Sequence, residues 1–399
     1  MTIVWTAGSR PQSSEESKSN NPIKMDYWLI GAVTILVAMG LVMVASASLH
    51  INASNSWYYF NRQLFFVVIG GLSGYVVFHL ELDFWRRNGI FLFLFGLVLL
   101  VVVLIPGVGK EINGSTRWIS LVVFNIQPSE LMKLFVVIYV AGYLCRHAQE
   151  VCKSCVGFLR PIALIILTGI LLICEPDFGS FVVVLTTVLC MMFLAGAQLK
   201  QYIAFILIAM IALALLVYIE PYRFERLLAF LNPQESANKG GYQLLQSLIA
   251  LSRGELFGVG LGNSVQKLFY LPEAHTDFLL AVIGEELGLI GVYTVILCYL
   301  IILFRSFQIG WRAELLENRF FAYIAYGLGI LLTIEAFINI GVNMGVLPTK
   351  GLALPFMSYG GSSLIVSCVM IAIILRIHHE VMSVKKPKSK RSRRWAPVL

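Results

Sequence analysis

Charge is scarce in this sequence. Only 13% of its 399 residues are Asp, Glu, Lys or Arg, against roughly 25% in soluble domains, while 58% are hydrophobic and the mean hydropathy is +0.81. An ordinary water-soluble domain is excluded. Short segments of alternating polarity, the mark of a membrane β-barrel, are also missing. Cysteine gives no disulfide framework, because most of Cys145, Cys152, Cys155, Cys174, Cys190, Cys298 and Cys368 fall within or beside long apolar runs. Cys152 and Cys155 form a lone C-x-x-C without a second pair or histidines at zinc spacing, and read as inert thiols. The first 25 residues have no apolar h-region and read as a disordered polar tail, not a signal peptide.

Long apolar runs are what the sequence does have. A helix crossing a hydrocarbon core of roughly 30 Å needs about 20 apolar residues, and such runs lie near 27–48, 62–80, 89–106, 128–146, 160–175, 179–196, 201–220, 278–304, 320–344 and 355–377. The expected fold is therefore all-α, a polytopic membrane protein with about ten transmembrane helices. Placing the N-terminus in the cytoplasm puts roughly twenty Lys and Arg inside and about nine outside, as the positive-inside rule requires. Both termini are then cytoplasmic, and the long outside loops are 107–127 and 221–277, the larger one just before the eighth helix. The domain reading is a tail over 1–24, a membrane domain over 25–380 and a basic tail over 381–399. The run KKPKSKRSRR suits anionic lipid head groups, at about 1 kcal/mol per basic residue near the surface. Topology accounts for that charge, so no nucleic acid partner is implied.

Ionisable side chains in the membrane need a partner or a task. Glu335, Asn339 and Asn343 recur every four residues and line one helical face, either as a hydrogen-bonded seam between helices or as part of an ion or substrate path. In QPSELMKLF, Pro128 suits a first helical position, and Glu130 and Lys133 share a face beside Gln127. They form either a local ion pair or a group that holds a polar part of a substrate. Gly284, Gly288 and Gly291 follow small-residue spacing for helix packing. Glu285 and Glu286, about two turns or some 12 Å from Asp277, read as anchors of the bundle.

The loop 221–277 is too polar to span and too long for a simple turn. Its YQLLQSLIALSRG segment sets Gln243, Gln246 and Ser247 against Leu244, Leu245 and Leu248, as an interfacial helix would. Gly258, Gly260 and Gly262 alternate and could turn backbone N–H groups toward an anion, although no strand precedes them. At the end of the loop, Glu273, His275 and Asp277 crowd together with Lys267 nearby. Thr276 or Asp277 can cap the next helix. A carboxylate at this boundary can also be tuned as a base.

The segments NGSTRWISL (113–121), QPSELMKL (127–134), EPDFGS (175–180), GYQLLQSLIAL (241–251), GVGLGNSVQKLFYLPEAHTDF (258–278), GEELGLIG (284–291) and PTKGLALPFMSYGGSS (348–363) occur in one order. From Met25 to about Arg376 the chain resembles the SEDS family (shape, elongation, division, sporulation), and most closely its FtsW branch. The resemblance implies ten transmembrane helices and a peptidoglycan glycosyltransferase that polymerises lipid II on the outer face of the cytoplasmic (inner) membrane, at the division septum. It implies Asp277 as general base for the acceptor hydroxyl, with inversion at the donor's anomeric carbon and undecaprenyl pyrophosphate as leaving group. Arg117, Lys133 and Lys350 match motif positions that set cations against that diphosphate. Glu130, Gln127 and His275 stand as further substrate-binding positions, with His275 in a role that orients the loop. No cofactor is firmly implied, and Mg²⁺ stays open. The implied partners are a cognate class B penicillin-binding protein and other division proteins. Glu255 stands where the family pattern has glycine, which weakens a phosphate role for the start of the glycine segment. A lipid II flippase and a non-catalytic division scaffold are the competing functions. The expectation of no clear internal repeat weighs against transport.

Overall fold

The computed structural model describes residues 24–51, 55–112, 115–120, 125–219, 241–348 and 351–383. A helix stands in each of the ten apolar runs. In chain order the elements are α1 (Tyr27–Ser48), α2 (Tyr58–His79), α3 (Leu82–Val103), the strands β1 (Gly109–Ile112), β2 (Ser115–Ser120) and β3 (Asn125–Ile126), then α4 (Pro128–Arg146), a short α5 (Ala148–Lys153), α6 (Cys155–Cys174), α7 (Phe178–Leu194) and α8 (Leu199–Ile219). After these come α9 (Tyr242–Gly254), α10 (Leu279–Leu315), α11 (Arg319–Asn343) and α12 (Gly361–Ser383). Among the described residues eight helices are long and apolar enough to cross a membrane. Phe178–Leu194 and the apolar part of α8, Leu199–Ile208, are shorter.

Burial sorts the helices into an inner and an outer set. In α4 and α11 the apolar window is 89% and 83% buried, whereas in α2 and α3 it is 28%. The inner pair carries the polar residues Glu130, Lys133, Glu335, Asn339 and Asn343, all buried. Ionisable groups are thus turned away from lipid, as their solvation requires. Around this pair α3 packs on α4, α10 on α11, and α2 on α12.

Four features depart from the sequence reading. The loop before α4 holds a three-stranded antiparallel sheet in the order β1-β2-β3. Ile112 pairs with Ser115 where β1 and β2 meet, and the Asn-Gly dipeptide between them in the sequence is a strong hairpin signal. The last run begins too early, because Pro355 to Gly360 form a buried irregular segment and α12 starts only at Gly361. Its Ser358 Oγ donates to Thr276 O (2.5 Å) and accepts from Leu354 N (2.9 Å), so apolarity there serves packing under a loop, not a span. In α9, Ser247 lies on the buried side with Leu244, Ala250 and Gly254, and donates to Asn343 O at 2.8 Å. A helix turned wholly by its leucines would have left that serine outside.

The fourth departure is in α10. As one straight helix its residues would extend about 55 Å, well beyond a core of roughly 30 Å. It is broken at Gly288 (φ 67°, ψ −165°), in a region open essentially to glycine alone. A break leaves backbone groups that hydrocarbon cannot satisfy, and residues 255–260 satisfy them. Leu289 N and Ile290 N donate to Glu255 O and Leu256 O (3.0 and 3.3 Å), while Glu285 O and Glu286 O accept from Val259 N and Gly260 N (2.9 and 3.1 Å). Gly258 N donates to Gly254 O at 2.7 Å. The N–H groups of 258–260 are therefore spent on carbonyls, which takes Gly258 and Gly260 out of the anion-binding reading. Glu286 accepts from Lys267 Nζ (2.8 Å) and Ser46 Oγ (2.7 Å), and Glu285 from Arg253 (2.8 Å) and Val265 N (3.1 Å). Both carboxylates tie the loop to the bundle.

At the far end of α10 from Asp277, Asp26 caps α1 through Leu29 N (3.1 Å) and takes the guanidinium of Arg305 (2.9 Å). Lys24 Nζ donates to Met382 O at 2.6 Å. Both ends of the described chain therefore lie at one end of the bundle, opposite Asp277.

Replacing Gly288 by alanine tests the break. A Cβ there would lie 2.4 Å from Gly258 N, and the backbone conformation alone costs about 1–3 kcal/mol for other residues. Gly288→Ala is expected to lower the thermal-unfolding temperature of the purified protein or to prevent monodisperse purification. Unchanged stability would show that the break is not built on glycine.

Candidate active site

Asp277 lies in the turn that leads into α10. The helix is capped by Phe278 without a side-chain hydrogen bond, and Thr276 Oγ1 donates to Glu273 Oε2 at 2.7 Å. The capping role considered for Thr276 or Asp277 is thus not taken up. Among the described residues the Asp277 carboxylate accepts no hydrogen bond, while its backbone is fixed. Asn339 Nδ2 and Asn343 Nδ2 donate to Asp277 O at 2.9 and 3.1 Å. Asn339 also donates to Leu352 O (2.6 Å), and Asn343 Oδ1 accepts from Ala281 N (3.2 Å). The seam along α11 joins helices, and its outer two members also hold this turn. Gly351 borders the carboxylate closely, since a Cβ there would come within 2.8 Å of Asp277 Oδ2.

Burial pushes the Asp277 carboxyl up to about 7, Glu273 adds to the shift, Arg117 opposes it and Asp177 adds further. Such a group is divided between acid and base near neutral pH, which is the range in which proton transfer is most effective.

Arg117 arrives on β2. Its Nε donates to Glu175 O at 3.0 Å and its terminal nitrogen to Pro176 O, which fixes the guanidinium against the corner between α6 and α7. Asp177 caps α7, accepting from Ser180 N (3.3 Å) and Ser180 Oγ (2.8 Å). Gln127 joins three elements: its N–H donates to Ser362 Oγ (3.0 Å), and its Nε2 donates to Ser129 Oγ (2.9 Å) and Asp177 Oδ2 (3.4 Å). The structure brings Arg117, Gln127 and Asp277 to one face and adds Asp177, with the backbone of Glu175 and Pro176 behind Arg117. An Asp three residues before Ser180 at a helix start was the available signal for Asp177. No sequence signal marks Glu175.

Lys133 lies deeper. Its Nζ contacts Glu130 Oε2 at 2.8 Å and Glu335 Oε1 at 2.6 Å, with no exposed surface. The pair foreseen within α4 is a triad bridging α4 and α11, so the ammonium already has two carboxylates and acts from within the bundle. His275 packs against Tyr59 (ring centroids 4.7 Å apart) and Tyr359 (5.7 Å), and its carbonyl accepts from Tyr359 N at 3.0 Å. Burial lowers its ring pKa, with Glu273 opposing. Lys350 lies outside the described residues. Among these residues no three His, Cys, Asp or Glu side chains gather as a metal site would need.

Residues 27–383 match the family of cell cycle proteins that takes in FtsW, RodA and SpoVE. The chain belongs to that family. It is 49% identical over 369 residues to the probable peptidoglycan glycosyltransferase FtsW of Methylomonas methanica, covering 92% of this chain and 95% of that one. With the probable peptidoglycan glycosyltransferase FtsW of Legionella pneumophila it shares 48% over 365 residues, 90% of this chain and 93% of that one. Among solved structures, this FtsW/RodA-type fold resembles a chain from a peptidoglycan synthase complex that coordinates polymerization and crosslinking, with a TM-score of 0.72, 27% identity, and 90% and 99% of the two chains covered. The rod shape determining protein RodA of Thermus thermophilus is similar at a TM-score of 0.65 and 27% identity, with 89% and 97% covered.

Asn339→Leu tests the seat of Asp277. It removes the side-chain donor from Leu352 O, at a cost of about 1–3 kcal/mol if that carbonyl is left bare, and one of the two donors from Asp277 O. A lower thermal-unfolding temperature is expected, and an unchanged one would mean that other donors take over.

Proposed function

We propose that this chain is a peptidoglycan glycosyltransferase of the FtsW type, polymerising lipid II during septal wall synthesis from the outer face of the cytoplasmic membrane. The names of its close relatives support the activity. The observation that carries the mechanism is the Asp277 carboxylate: fixed through its backbone, free of hydrogen bonds among the described residues, and shifted to about 7.

In this reading Asp277 takes the proton from the acceptor sugar's hydroxyl as that oxygen attacks the donor's anomeric carbon. The bond from that carbon to the diphosphate oxygen breaks, the configuration inverts, and undecaprenyl pyrophosphate leaves with the electron pair. Its charge is spread over phosphate oxygens, so cations serve it better than a dedicated acid. Arg117 is the described cation facing Asp277, and Lys350 is proposed beside it. Gln127 and His275 shape the substrate side, while Glu130 and Lys133 support it from within. In this reading the chain has ten spans with both ends in the cytoplasm, so that Asp277 faces outside, and a class B penicillin-binding protein is the partner that cross-links the product.

The break in α10 gives a lipid flippase its one structural foothold, because transporters use unwound helices. Here the freed backbone groups are taken up by 255–260, and Glu285 and Glu286 are spent on the loop.

Asp277→Asn, purified with its partner and supplied with lipid II, is expected to lose glycan-chain formation by at least about 100-fold, the scale of a missing general base. Wild-type polymerisation by this variant would leave the scaffold or transport readings standing.

A further inference from the structure

Glu175 ends α6 beside the proposed site, and the mechanism above gives its side chain no work. It has no exposed surface, and neither carboxyl oxygen has a hydrogen-bond partner. Nor does any cation among the described residues pair with that carboxylate. An ionised carboxylate in such a place is far costlier than a neutral carboxyl. Two charged groups face it from the packed elements: Asp177 at the start of α7, which disfavours a second negative charge, and Arg117 on β2. Two of the five N–H groups of Arg117 go to the carbonyls of Glu175 and Pro176, and none to the carboxyl. Burial, with Asp177 adding and Arg117 opposing, pushes the Glu175 carboxyl up to about 8.

The same guanidinium acts on Asp277, whose proton affinity it lowers. Arg117 thus stands between two carboxyl groups and can neutralise only one of them well.

We infer that Glu175 is a positioning residue that works uncharged: its neutral carboxyl leaves Arg117 on the carbonyls of the corner, facing Asp277 and the diphosphate. A negative charge at 175 draws the guanidinium into an ion pair and removes it from that seat. Polymerisation then falls as pH rises past the point where Glu175 ionises, because Asp277 loses its neighbouring cation and the leaving group loses its counter-charge. Below that pH the neutral form prevails and the seat is kept. The rate readout rests on the glycosyltransferase reading, whereas the charge state of Glu175 can be read without substrate.

The test compares wild type with Glu175→Gln, a neutral side chain of the same shape, each purified in complex with its partner. Infrared difference spectra should show a protonated-carboxyl band in wild type at neutral pH that disappears as pH passes about 8, and that is absent from the variant. Glycan formation from lipid II should fall in wild type over the same range. The variant should keep its neutral-pH rate within about twofold and show no alkaline fall. Should Glu175→Gln not purify as a monodisperse protein, Glu175→Met carries the same expectations. The inference is overturned if no band is lost on substitution, if a folded neutral variant loses about tenfold or more at neutral pH, or if it keeps the wild-type alkaline fall. A correct band with no polymerisation by wild type at any pH would instead count against the glycosyltransferase reading, and would leave the uncharged state of Glu175 standing.

Discussion

Two asparagine side chains on one helix, Asn339 and Asn343, donate to the single carbonyl of Asp277. The arrangement outside the bundle depends on that contact. It fixes the turn before α10 against α11, one of the two most buried helices, and it does so through the backbone, so that among the described residues no hydrogen bond occupies the carboxylate. A side chain that capped its own helix would have been held just as firmly and would have had nothing left to offer a substrate. The 352–359 segment completes the seat, because Leu352 O shares the Asn339 amide and Ser358 reaches Thr276 O.

Deeper in the bundle several buried charges among the described residues are paired. Lys133 is held by Glu130 and Glu335, Lys267 by Glu286, Arg253 by Glu285, and Arg305 by Asp26. Lys133–Glu335 and Arg305–Asp26 join segments 202 and 279 residues apart, while Lys267–Glu286 and Arg253–Glu285 tie the loop to α10, and breaking one would strand a charge where solvation is poor. Against that background the carboxyl groups of Asp277 and Glu175 stand out, and Arg117 lies beside both. One is mostly buried but reachable at the outer boundary, and suits proton transfer. The other is fully buried and suits neutrality.

Much of the fold was legible in the sequence because a bilayer imposes a length and a polarity on every helix that crosses it. Each of the ten apolar runs contains a helix, and among the described residues eight of these are long and apolar enough to cross a membrane. The break at Gly288 did not, since three glycines at small-residue spacing look like a packing face whether or not one of them adopts a positive φ. The irregular 355–360 segment was misread for a related reason: buried loop and buried helix are equally apolar. Asp277, Arg117 and Gln127 could be picked out as motif residues, yet the spacing of Asn339 and Asn343 showed only that they share a face. Their partner is 62 and 66 residues away in sequence. Glu175 was invisible as a candidate, because its distinguishing property is the lack of a partner, which only the packed structure reveals.

The central claim is that Asp277 must be ionised to act and that its neighbours set the pH at which this happens. The most direct measurement is the pH dependence of glycan formation on the acid side, compared between wild type and Glu273→Gln. Removing the like charge of Glu273 makes the Asp277 carboxylate easier to form, so the acid limb, near 7 in wild type, should move to lower pH. A limb that stays in place, or moves upward, would contradict the account.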